Sequence, residues 1–428
     1  MKPAIYTDLS AADALYRAGK FAEAEAAYRK VKALDPKNSL VLERLGLIAL
    51  WNNRPQEAGL DLKEALRCTP RYKNFWPFNA ELNYRLGLTY YRQDQFAKAA
   101  QRFHEAAGPI AIGPFRELKD LARQTALFTH AAPYLIEGPE QSRIGFVVTD
   151  PLPVIEVSVN GGRPLHFFID TGGAEIILDK KLAEEVKAEM AGAFSTDYAG
   201  KKKAETGLGK IDSIRVGEIV VRNMPIHTLD VSSMSSVFNG LEIHGVIGTR
   251  FLMHFLSTID YVNGALLLRR LTQATAQSLE AQIVAGGAKA IPFWLIDTHY
   301  MVSWGTVNHR GPMLLFVDTG LAGNGFTAPE PVLQDAGIIV DWTQTAEGIG
   351  GGGKIKGTGI VVDRLTLGTG VNEIVENKVP GVAIEKSVSI LGDQLGFHIG
   401  GLISHQFFRN YALTLDFNNM HLLIQRSN

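Results

Sequence analysis

The tripeptide Asp170-Thr171-Gly172 recurs as Asp318-Thr319-Gly320, and each copy closes an apolar run: Phe167-Phe168-Ile169 before the first, Leu315-Phe316-Val317 before the second. A buried-type strand that ends in a carboxylate and then turns at a glycine is a demanding arrangement. Having it twice constrains the fold more than any other feature of the chain. The match continues downstream. After the first copy come Gly245-Val246-Ile247-Gly248, Phe251-Leu252, Ser257-Thr258-Ile259-Asp260-Tyr261 and Ala265-Leu266-Leu267-Leu268. After the second come Gly401-Leu402-Ile403-Ser404, Phe407-Phe408, Leu413-Thr414-Leu415-Asp416-Phe417 and Leu422-Leu423-Ile424. Order, spacing and residue types agree, which marks an internal duplication. Two carboxylates delivered by two related halves imply one shared site where a carboxylate pair does acid–base work.

On these motifs the stretch 140–428 resembles the aspartic peptidases, specifically a retropepsin-like lobe present twice in one chain, as in pepsin. The resemblance implies an all-β, two-lobed fold with a cleft between lobes. It also implies that the two D-T-G loops face one another across a pseudo-twofold axis. Asp170 and Asp318 are then the catalytic pair. Thr171 and Thr319 fix the loops across the interface, and Gly172 and Gly320 permit the tight backbone that aims amides at the carboxylates. Gly248 matches the family's closing glycine, whereas Ser404 replaces it in the second half. Gly173 and Leu321 stand where family members often carry Ser or Ala. The implied activity is aspartic endopeptidase: hydrolysis by a dyad-activated water, with no cofactor, no metal and an extended peptide in the cleft. The alternative is a non-catalytic peptide-binding or scaffold protein built on the same fold. Intact aspartates and threonines in both halves argue against that decay. Asp260 and Asp416 also repeat, but each lies in a β-type run after the glycine strand and reads as structural.

Residues 10–108 carry a different period. Pro36 and Pro70 each close a helical pattern at the same distance from Ala24 and Ala58, giving a repeat of about 34 residues. A third copy, from Leu86-Gly87-Tyr90 to Ala99-Phe103-Ala106-Pro109, is offset by an insertion around 72–79. Leu45-Gly46 and Leu86-Gly87 put small residues where paired helices approach closely, and 116–128 supplies a further, capping helix. This pattern resembles tetratricopeptide repeats. Three such pairs suffice for a stacked core. The resemblance implies a concave face for a protein partner, used for client recruitment or for assembly. If recruitment is its role, deleting 1–108 should spare hydrolysis of short peptides. The expected organisation is therefore a helical repeat domain at 1–130, a first lobe at 140–271 and a second lobe at 288–428.

From about Ile144 short β-type runs take over, bounded by Gly, Asn and Pro. Val154 to Val159 alternates as a half-buried strand and Asn160-Gly161 signals a hairpin. The spans 214–221 and 360–367 read as further strands, 181–189 and 330–336 as short helices, and 272–288 as the link between halves. Gly348 to Lys354 approaches a phosphate-binding loop. It fails because Ile355 replaces the metal-binding hydroxyl and a β-type run, not a helix, comes after it. It reads instead as a Gly-rich hairpin over the cleft, with a counterpart near 198–209. Tyr198 reads as a surface-loop tyrosine, with flap aromatic as its functional alternative.

Charge and cysteine content narrow the remaining classes. A net charge of −1 gives no bulk electrostatic reason for a nucleic-acid partner. The basic run Lys201-Lys202-Lys203 reads as a solvated loop. The single cysteine, Cys68, excludes an intrachain disulfide and reads as a small core residue on a helix. His398 and His405 lack a third metal ligand. No apolar run has the length of a membrane span. Met1-Lys2-Pro3 leads into a helical pattern without an apolar signal region, which favours a cytoplasmic protein; the alternative is an exported or periplasmic one whose signal has been removed.

Overall fold

The helix-period pattern of the first third folds as seven helices in the computed structural model, which describes residues 2–70, 76–77, 79–109, 114–197, 203–350, 353–385 and 396–426. They are α1 (Lys2–Arg17), α2 (Phe21–Leu34), α3 (Ser39–Trp51), α4 (Pro55–Cys68), α5 (Ala80–Tyr91), α6 (Phe96–Ala107) and α7 (Pro114–Ala126). Local chemistry sets their ends. Asn38 caps α3 by accepting the Val41 amide at 3.3 Å. Pro55 opens α4, where its missing N–H costs nothing. Gly108, at φ +66°, stops α6. Ala24, Ala58 and Ala99 are fully buried between paired helices, Gly46 faces Leu62, and Gly87 faces Phe103. The expected capping helix is α7. Part of the expected insertion, 71–75 and 78, lies outside the described residues. Cys68 is half-buried at the edge of a cluster formed by Leu42, Leu62, Ala65, Leu82 and Leu86.

The chain divides into two compact units. The helical one comprises Met1–Pro133 together with Ala191–Phe194 and Leu391–His398, of which 396–398 are described in the last piece. The other comprises Tyr134–Met190, Ser195–Ile390 and Ile399–Asn428.

The β-rich chain repeats one order of elements. Its first half runs β1 (Leu135–Glu137), β2 (Gln141–Gly145), β3 (Val154–Val159), β4 (Leu165–Ile169), β5 (Ile176–Asp179), α8 (Lys180–Glu185), β6 (Glu189–Asp197), β7 (Lys203–Val216), β8 (Ile219–Leu229), β9 (Gly245–Ile247), α9 (Thr249–Leu252), β10 (Phe255–Asp260) and β11 (Ala265–Arg270). The link contains α10 (Gln273–Ala285). The second half runs β12 (Lys289–Pro292), β13 (Trp294–Ile296), β14 (Tyr300–Val307), β15 (Arg310–Val317), β16 (Phe326–Pro329), α11 (Glu330–Asp335), β17 (Thr345–Gly350), β18 (Gly353–Leu367), β19 (Ile374–Ile384), β20 (Ile399–Ile403), α12 (His405–Phe408), β21 (Tyr411–Asp416) and β22 (His421–Arg426).

Each half builds an eight-stranded sheet with the same internal neighbours. In the first the order is β1-β8-β5-β9-β4-β3-β7-β6, with β7 also paired to β8. In the second it is β13-β14-β15-β20-β16-β19-β18-β17, with β18 also paired to β14. The strand leading into each D-T-G pairs in parallel with the later glycine strand, Ile169 against Ile247 and Val317 against Ile403. A six-stranded sheet, β12-β22-β21-β10-β11-β2, draws on both halves. Its central pair is β10–β21, where the Thr258 and Thr414 hydroxyls lie 2.7 Å apart.

Two sequence expectations are corrected: the short helix read at 181–189 ends at Glu185 and Glu189 opens β6, and a strand is split. The span 214–221 is not one strand: Gly217, at φ +59°, turns the chain between β7 and β8. The repeated aspartates do hold turns. Asp260 accepts the Asn263 amide and side chain between β10 and β11. Asp416 accepts the amides of Asn418 and Asn419 between β21 and β22. This is the self-capping that Asp supplies in tight turns.

Candidate active site

Each motif aspartate is placed by main-chain hydrogen bonds before its side chain is considered. The Asp170 amide donates to the Ile247 carbonyl at 3.1 Å and the Asp318 amide to the Ile403 carbonyl at 2.9 Å. The chain then turns, and the amide two residues on reaches back to the carboxylate: Gly172 to Asp170 Oδ1 at 2.7 Å, Gly320 to Asp318 Oδ1 at 3.0 Å.

The threonines lock the two loops together. The Thr171 amide donates to Thr319 Oγ1 at 3.0 Å and the Thr319 amide to Thr171 Oγ1 at 3.0 Å. Thr171 Oγ1 also donates to the Val317 carbonyl at 2.9 Å. Both side chains are fully buried, so losing either hydroxyl would strand a polar group away from water. The glycines face across as well. A Cβ on Gly172 would lie 2.5 Å from Asp318 Oδ1, and one on Gly320 would overlap Asp170 Oδ1. Only hydrogen fits at either position.

The two carboxyl groups sit close enough that each faces the other motif's glycine and each affects the other's ionisation. Burial raises the pKa of both. Beside that, Asp318 is pushed well above its ordinary value by the neighbouring Asp170 charge. Asp170 is raised as well, against the amides of Gly172 and Gly173, which favour its ionised form. The low polarity comes from the strands themselves: Ile169, Ile247, Val317 and Ile403 are fully buried beside the pair. Two carboxyls coupled in this way titrate as a unit.

The second-half substitution at the closing position is chemically satisfied. A Cβ on Gly248 would collide with the Glu175 carbonyl, so the first half requires glycine. In the second half Ser404 Oγ donates to the Leu321 carbonyl at 3.0 Å and accepts the Leu321 amide at 3.2 Å. Ser404 therefore braces the residue after the second D-T-G, the counterpart of Gly173 in the first half, whose amide donates to the Asp170 carbonyl at 3.2 Å.

Further groups support the loops without an obvious sequence signal. His299, mostly buried, places Nε2 2.9 Å from the Gly172 carbonyl, with Thr298 Oγ1 on its other nitrogen at 2.6 Å. It comes from the turn before β14, while Asp150, from the turn before β3, meets His405 Nε2 at 3.0 Å and Arg409 at 2.6 Å. Each half thus reaches across to the other's motif region. Behind the first motif, Tyr134 bonds to Glu175, stacks on His254 at 3.9 Å and lies 5.5 Å from the Arg250 guanidinium. The Arg250 amide, in turn, donates to the Ala174 carbonyl at 2.8 Å. Nothing in the local sequence pattern singles these residues out, because their partners lie far along the chain, 127 residues away for His299 and Gly172. The hairpins expected over the cleft are β6–β7 and β17–β18. Their tips, including Tyr198, Lys201, Lys202, Gly351 and Gly352, lie outside the described residues. From Gly353 onward the chain is strand, so no helix N-terminus faces that glycine run.

Comparison with known families agrees with this geometry. Residues 155–251 match the model of an aspartyl protease family, and residues 9–73 match a tetratricopeptide repeat model. The chain joins tetratricopeptide repeats to an aspartyl protease domain. No curated protein matches it. The protease match spans β3 through the start of α9, and so includes Asp170 and Gly248. The duplicated sheet and Asp318 lie beyond it, placed by the structure alone. The repeat match covers the first two helix pairs, after which α5 and α6 add a third.

Proposed function

We propose that the protein is an aspartic endopeptidase whose reacting groups are Asp170 and Asp318, with Thr171, Gly172, Thr319 and Gly320 supporting them. The observation that carries this reading is the reciprocal packing of the two motifs: each carboxylate faces the other motif's glycine, and the two threonines exchange amide-to-hydroxyl hydrogen bonds. The pair shares one proton and titrates as a unit, so the acid and base roles belong to the two aspartates together. The ionised member of the pair takes a proton from a water, the resulting hydroxide adds to the peptide carbonyl carbon, and the protonated member gives its proton to the carbonyl oxygen. Collapse of the tetrahedral diol breaks the C–N bond, the amine leaves with a proton, and the dyad returns to its singly protonated form. No metal or cofactor is needed to balance the step. The helical repeats serve as a protein-binding unit that recruits clients or assembles the enzyme.

The test is cleavage of a peptide library by the whole chain, with and without a hydroxyl-bearing transition-state mimic. Asp170→Asn and Asp318→Asn should each cost at least ~10²–10⁴ in rate. Near-native turnover by either variant would sink the shared-dyad mechanism. A folded wild type that binds the library but cleaves nothing would return the domain to the peptide-binding alternative.

A further inference from the structure

The helical unit holds a phenylalanine that its own helices do not supply. Phe397 lies with its ring centroid 4.9 Å from Phe21, 5.5 Å from Trp51 and 6.1 Å from Tyr16, at interplanar angles of 76°, 73° and 80°. Three edge-to-face contacts on one ring form an aromatic cage, the geometry that ring quadrupoles favour. Tyr16 stacks on Trp51 at 5.6 Å, and the Arg44 guanidinium lies 4.3 Å from the Tyr16 ring, which closes the back of the cage. Phe397 is left 8% exposed, so the cage is filled.

The internal duplication shows what is unusual about this. Phe397 belongs to the connection between β19 and β20. The equivalent connection in the first half, between β8 and β9, carries Phe238, which packs on Phe168 at 5.7 Å within its own half. One connection keeps its phenylalanine at home; the other sends it to the repeats. Residue 397 is also only two positions ahead of β20, whose Ile403 carbonyl receives the Asp318 amide.

We propose that the cage of Tyr16, Phe21 and Trp51 is a phenylalanine-docking site of the repeats, and that its occupant is the chain's own Phe397, which thereby anchors the residues entering β20. The site is then filled in cis. The inference does not rest on peptidase activity, and its test does not measure any.

The whole chain labelled with 5-fluorotryptophan gives five fluorine signals, with Trp51→Phe identifying the one in the cage. Phe397→Ala should move the Trp51 signal and leave the other four in place, and Phe397→Leu should move it less. A Trp51 signal indifferent to both substitutions overturns the docking site. Amide exchange supplies the second arm. In Phe397→Ala, exchange across Ile399–Ile403 should rise at least about tenfold, while exchange across Gly245–Ile247 stays as it was. A Trp51 shift with unchanged exchange in Ile399–Ile403 would overturn the anchor. Should Phe397→Ala disturb all five signals through misfolding, Phe397→Leu decides both arms.

Discussion

At the scale of single residues, the site is defined as much by missing atoms as by present ones. Gly172 and Gly320 each stand where any side chain would enter the space of the opposite carboxylate. Gly320→Ala should therefore destabilise the fold by about 1–3 kcal/mol through overpacking. It should cost more in turnover than in stability, because the displaced atom is Asp170 Oδ1. Thermal unfolding beside steady-state kinetics checks this; an alanine variant with native turnover would show that the dyad tolerates being prised apart. The carboxylates also set a pH dependence. The folded pKa of Asp318 lies well above the ordinary value of 3.8. Whatever stability the site contributes is thus fully present below about pH 3.8 and is lost as pH rises through the raised folded value. Asp318→Asn removes that loss. Its Tm should exceed that of the wild type at neutral pH, and the gain should vanish towards pH 3. A gain that stays level across this range would contradict the raised pKa.

At the scale of elements, much of the arrangement was legible because duplicated strands repeat their chemistry. The apolar run, the carboxylate and the later Gly-Val-Ile-Gly or Gly-Leu-Ile-Ser each specify a buried strand, and parallel pairing of the two explains why both runs are apolar throughout. The strand predicted at 154–159 is β3 to the residue. The error at 214–221 has a clear origin: apolar residues on both sides of Gly217 share an alternation that a two-residue turn does not interrupt. His299, Glu175 and Phe397 were illegible for another reason. Their partners lie far along the chain, 127 residues in the case of His299 and Gly172, and no local period encodes such a contact. Ser404 shows how a departure from pattern becomes intelligible once its partners are seen. Ser404→Ala should cost about 1–3 kcal/mol, since it leaves both polar groups of Leu321 without their hydroxyl. Ser404→Gly should be no better, although glycine is the residue of the first half. If glycine there were stabilising, the serine would be a tolerated relic rather than a brace.

At the scale of the whole molecule, the division of the chain changes what a truncation would test. From the sequence alone the repeats end near residue 130, the dyad lies beyond 140, and deleting 1–108 promises an enzyme still competent on short peptides. The described residues Ala191–Phe194, within β6, and 396–398, just before β20, belong to the helical unit. Removing 1–108 takes away Tyr16, Phe21 and Trp51, and with them every ring that surrounds Phe397. The anchor on β20 goes at the same time as any client surface. On the proposed peptidase reading, kcat on short peptides should therefore fall in the truncated chain, not only on tethered or folded clients. Phe397→Ala in the whole chain should reproduce most of that fall while sparing any client recruitment by the repeats, as proposed above. The decisive comparison is kcat and KM for a short peptide and for a long client across three proteins: wild type, truncated and Phe397→Ala. If truncation leaves short-peptide kcat intact, the repeats contribute affinity alone. If Phe397→Ala matches the truncated protein on the short peptide but retains the wild-type KM for the client, the repeats carry two separable tasks, one mechanical and one of recognition.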